Sequence, residues 1–85
     1  MVKSIWKYIL NPSGYFSEII MPEDATVLTV GAQGDDICLW VLVLPSSPLI
    51  SRAFVVIGTG EEIPPGFNDF IGTVFIDDLV FHIFE

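Results

Sequence analysis

Eighty-five residues suffice for one domain around one core and exclude a two-domain arrangement. Eleven acidic side chains against three basic ones leave a net charge of −8, which repels a phosphate polymer and excludes generic DNA or RNA binding. Hydrophobic residues make up 52% of the chain and charged ones only 16%, more apolar surface than so small a core holds, so self-association is expected.

Lys3 to Leu10 reads as a first strand, with Lys3, Ile5, Lys7 and Ile9 on one side and Ser4, Trp6, Tyr8 and Leu10 on the other. Two of the three cations therefore share a face. Asn11-Pro12-Ser13-Gly14 is a turn signal, and Tyr15 to Met21 is expected to pair back on the first strand as a hairpin. Pro22-Glu23-Asp24 interrupts that strand, and Ala25 to Val30 is a third one. A turn over Gly31 to Asp35 joins it, as a second hairpin, to Ile37–Leu44, the run ICLWVLVL.

These eight residues are apolar on both faces and too few to cross a bilayer. Such a strand belongs at the centre of the fold with both sides covered, in a barrel, a sandwich or a subunit interface. Pro45-Ser46-Ser47-Pro48 ends it, and Leu49 to Ile57 is the fifth strand. A Gly- and Pro-rich loop follows, then FIGTVFI, the Asp77-Asp78 turn and the closing strand LVFHIFE. No stretch has helical spacing, and only a short helical turn around Pro64 to Asp69 is allowed. The expectation is a single all-β domain over 1–85, with about seven short, mostly antiparallel strands in a small, oligomeric barrel or sandwich.

Catalytic signals are sparse. His82 is the one histidine, within an apolar strand, and no nucleophile elbow, Cys/His pair or metal-ligand spacing accompanies it. Cys38 reads as a small buried hydrophobe of an intracellular protein, because a reactive thiol needs an electropositive setting. The acidic pairs Glu23-Asp24, Asp35-Asp36, Glu61-Glu62 and Asp77-Asp78 stand at turns, as solvated acids do. No signal peptide or membrane span is expected, no metal or cofactor, and no enzymatic activity.

Binding signals are more numerous. Gly58-Thr59-Gly60 lets a backbone approach a ligand closely and offers N–H groups and a hydroxyl to an anion. Trp6 and Tyr8 beside Lys3 and Lys7 form an aromatic–basic cluster suited to stacking on a base and neutralising a phosphate.

The segments IWKYIL, MPEDATVLTV, CLW, IGTGEEIP, FIGTV and LVFHIFE resemble a family of small proteins of tailed phages and prophages, a domain of unknown function, over nearly the whole chain. Members of that family often carry Tyr where this chain has Phe70, which removes one hydroxyl. Small phage proteins of this habit are similar to the anti-CBASS and anti-Thoeris sponges, which hold a cyclic nucleotide immune signal without cleaving it. The resemblance implies a counter-defence protein in the cytoplasm of an infected bacterium, binding a cyclic dinucleotide at a subunit interface.

In that reading Trp6 and Tyr8 stack, and Lys3, Lys7 and Arg52 hold phosphate. Thr59 with Gly58 and Gly60 supplies close backbone contact, and His82 donates. Two alternatives stand beside it: an acidic inhibitor of a host nucleic-acid enzyme, and a virion structural or assembly protein.

Overall fold

The apolar run after Asp35 forms β4 (Asp36–Val43), and a strand lies against each of its edges: β1 (Ser4–Ile9) on one side and β3 (Thr26–Gln33) on the other. β2 (Phe16–Pro22), β5 (Leu49–Gly58), β7 (Leu79–Phe84) and β6 (Phe70–Ile76) make a second sheet in that order. Every pairing is antiparallel. This computed structural model describes residues 2–12 and 15–85, so Ser13-Gly14, half of the first predicted turn, lies outside the described residues.

The two sheets stack as a thin sandwich, 42 × 28 × 16 Å in its principal extents. Ile37, Leu39, Val41 and Val43 point inward from β4 and meet Met21, Phe54, Val56, Val74 and Ile83 of the other sheet in one core. Burying these apolar side chains supplies the main folding force, about 1.5–3 kcal/mol for each large one. Along one flank β3 and β6 come together so closely that a Cβ on Gly72 would stand 2.6 Å from Val30 Cγ2. That approach needs a glycine.

Along the other flank β1 and β2 do not pair, so the molecule is a sandwich and the barrel alternative falls. The predicted hairpin between the first two strands is likewise corrected: β1 pairs with β4 and β2 with β5. The reason is that β4, without a polar side, fills both of its backbone edges with neighbours, and β1 serves that need better than it serves β2. Asn11 N–H donates to the buried Ser17 hydroxyl at 2.7 Å, which turns the chain from one sheet into the other.

Two predicted hairpins are present and tight, though the first turn is shorter than the expected Gly31 to Asp35 because β3 runs on through Gln33. Gly34-Asp35 joins β3 to β4 with Gly34 at φ 59°, and Asp77-Asp78 joins β6 to β7 with Asp77 at φ 51°. The helical turn allowed around Pro64 to Asp69 is absent; Pro65-Gly66 is a simple turn, with Gly66 at φ 95°. β4 is also less enclosed than expected, since Trp40, Leu42 and Leu44 on its outer side are only half-buried.

One end of the sandwich is stapled. Arg52 lies on the inner face of β5 and grips both carboxylate oxygens of Glu85, Nε at 2.6 Å and Nη2 at 2.7 Å, while Nη1 donates to the Ala25 carbonyl at 2.8 Å. The Glu85 backbone exchanges hydrogen bonds with Asp69. The opposite end, where the two tight hairpins turn, has no such closure among the described residues.

Candidate functional site

Lys7 sits opposite Trp40 in the β1–β4 register, and Trp40 sits opposite Thr29 in the β4–β3 register, so the three share the outer face of the smaller sheet. Ile5 and Leu42 form the next row to one side, and Ile9, Cys38 and Gly31 the row to the other. Lys3 is exposed just before β1, on the same alternation as Lys7. Ile5 and Ile9 are 59% and 53% exposed, so the face is apolar, open and bordered by the two lysines. The carboxylate in its register is Asp36, at the far end of β4.

Gly31 makes room for the indole of Trp40: a Cβ there would approach its Cζ3 to 3.3 Å. Lys7 Nζ donates to Gln33 Oε1 at 2.7 Å, reaching across β4. Beneath this layer Cys38 is fully buried although it points outward. That burial keeps the thiol from reagents in solvent.

Trp6 and Tyr8 lie opposite Val41 and Leu39 and therefore point to the inner side of β1. They share a strand with Lys3 and Lys7 but not a face. Tyr8 packs against the core, and that desolvation raises its phenol pKa above the ordinary 10.0. Trp6 remains 36% exposed at the unpaired flank. The aromatic that accompanies the lysines is Trp40, whose position could be found only once β1 was known to pair with β4.

Arg52 stands apart from both lysines. Its hydrogen bonds to Glu85 raise its pKa, against an opposing desolvation and with the help of the carboxylate charge. Its guanidinium carbon also lies 5.6 Å from the Phe54 ring centroid, in cation–π range. An incoming phosphate would have to displace Glu85 to reach it.

Gly58-Thr59-Gly60 and His82 do come together. Thr59 Oγ1 is 2.8 Å from His82 Nε2, and Thr73 Oγ1 is 3.0 Å from Nδ1, so hydroxyls hold both ring nitrogens on the outer face of the larger sheet. A neutral imidazole donates to one hydroxyl and accepts from the other. The backbone donors beside them are already used: Gly58 N–H donates to Glu61 Oε1 at 2.5 Å and Thr59 N–H to the Val80 carbonyl at 3.3 Å. A carboxylate in that cradle is the opposite of an oxyanion hole, which needs donors left open for developing negative charge.

No group of three or more His, Cys, Asp or Glu is placed to hold a metal ion among the described residues. No described buried side-chain nitrogen or oxygen lacks a hydrogen-bond partner. No described helix is long and apolar enough to cross a membrane.

The chain belongs to the family described as a domain of unknown function (DUF7352), whose model matches residues 1–85. No curated protein and no solved structure matches it.

Proposed function

We propose that this protein is a non-catalytic binding module that holds a small phosphorylated ligand of the cyclic dinucleotide class between the outer faces of two copies of its smaller sheet. The observation that carries the reading is the Lys7–Trp40 neighbour pair on an apolar face of a molecule that is otherwise strongly acidic. Trp40 offers a ring for a base, and Lys7 and Lys3 offer charge for phosphates. An open sheet surface covers a base on one side only. A second copy closes the other side, doubles the lysines and buries Ile5 and Ile9. The phage-family resemblance of the motifs supports a counter-defence role, with the protein acting as a sponge for an immune signal.

Relative to the residues expected from the sequence, this site keeps Lys3 and Lys7, replaces Trp6 and Tyr8 by Trp40, and leaves Arg52 to Glu85. Gly58 and His82 lie in the other sheet, Thr59 and Gly60 in the turn that follows β5, and none of them takes part in it.

A thermal-shift screen against cyclic di- and trinucleotides and ADP-ribose derivatives tests it. A ligand at about 100 times its Kd stabilises by about 2.7 kcal/mol, a rise of roughly ten degrees or more for a domain this small. Trp40→Ala should weaken binding by about 1–3 kcal/mol, the worth of a stacked base, while Trp6→Ala leaves it unchanged. The ligand should be recovered intact. Silence across the panel, or equal losses from the two tryptophan variants, defeats the reading.

A further inference from the structure

The two tight hairpins, one from each sheet, turn at the same end of the sandwich and leave a groove between them. Its first part, about 400 Å³, is floored by Leu10 and Ile37 of one sheet and Ile76 and Phe81 of the other, with Asp35, Asp36 and Asp77 also lining it. A second concavity of about 450 Å³ adjoins it, shares Leu79 and Phe81, and takes Asp78 into its wall. Leu79, 58% exposed, forms the ridge common to both.

We propose that this groove docks an extended segment of a partner protein in which apolar residues alternate with lysine or arginine. Charge complementarity carries the assignment. The ion pair among the described residues is Arg52–Glu85, at the opposite end, so the aspartates of the groove have no basic partner among the described residues. Lys3 and Lys7 lie on the outer face of the smaller sheet.

An extended segment suits the shape as well as the charge. Its side chains alternate in direction, so every second residue enters the apolar floor while its neighbours reach the rims. It also spans both concavities across Leu79, whereas a small cation fills one. The net charge of −8 attracts such a basic segment from a distance. The groove borders the ligand face proposed above at Asp36, and its test reads out at Leu79 and Phe81 rather than at Trp40.

Fluorescence anisotropy with a fluorescein-labelled peptide of alternating leucine and arginine, and its counterpart with citrulline in place of arginine, tests the proposal on the intact protein. The arginine peptide should bind at least about tenfold more tightly, and rising salt should narrow the gap. Asp35→Asn/Asp77→Asn should weaken it by about fivefold or more, and Leu79→Ala should weaken both peptides. Glu23→Gln/Asp24→Asn removes the same charge at the other end and should leave binding within about twofold. Amide shifts on peptide titration should centre on Leu79 and Phe81, a readout that needs no variant.

Equal binding of the two peptides would overturn the proposal. So would equal effects of the two double variants, which would make the attraction one of bulk charge. Butylguanidinium binding as tightly as the peptide would replace the segment by a small cation.

Discussion

The two ends of the sandwich are built from the same kinds of residue and behave as opposites. At one end Arg52 and Glu85 neutralise each other, tie β5 to the chain after β7 and hold the start of β3 through the Ala25 carbonyl. At the other end four aspartates crowd two hairpin turns, with no described cation near enough to pair with them. Acids placed at turns cost little in isolation because water solvates them. When two turns from different sheets meet at one end, the same acids become a field. One end therefore contributes stability and the other recognition.

Opening the closed end should have the largest effect. Arg52→Met strands the Glu85 carboxylate, 24% exposed, and should cost about 2–3 kcal/mol, the range for a hydrogen-bonded charge left without its partner. In thermal denaturation that is roughly 10–20 °C of Tm for a domain of this size.

A change at the open end should go the other way. Asp77 holds φ at 51°, where an L side chain costs roughly 1–2 kcal/mol and glycine costs almost nothing. Asp77→Gly should raise stability by up to about 1 kcal/mol in urea titration, after glycine's extra unfolded-state entropy is counted. It should weaken the arginine peptide as well. Loss of stability instead would mean that the aspartate side chain supports the turn.

The smallest effect lies on the unpaired flank and depends on pH. Burial raises the Tyr8 phenol pKa above 10.0, so the folded state holds that proton more tightly than the unfolded chain does. Its contribution is fully present below pH 10.0 and fades as pH rises through the folded pKa. Tyr8→Phe should therefore flatten the alkaline limb of a stability–pH curve and leave the neutral region near wild type. An unaltered alkaline limb would assign that loss to other groups.

Much of the fold could be read from local pattern. Alternation along β1 placed Lys3 and Lys7 on one side, Asp77-Asp78 marked a turn and Gly31 to Asp35 enclosed another, and the apolar run at β4 marked the centre. The site was less legible, since alternation tells which residues share a face and is silent on which strand lies alongside. Trp40 joins Lys7 only through the β1–β4 pairing, which the expected β1–β2 hairpin concealed. Arg52 looked like a phosphate ligand because Glu85, 33 residues away, gave no local sign of being its partner. Glu61 likewise closes the Gly58 backbone donor in a way that glycine spacing alone did not announce.

By itself, then, the sequence determined the strands, the position of most turns and the excess of negative charge. Each follows from short-range geometry: the period-two alternation, the backbone freedom of glycine and the missing donor of proline. Tertiary structure decided the partners. Strand pairing is settled by covering β4 on both edges and one face at once, a condition on the whole chain. Only that condition brought Trp40 to Lys7, Arg52 to Glu85 and the aspartates of two separate hairpins to one groove.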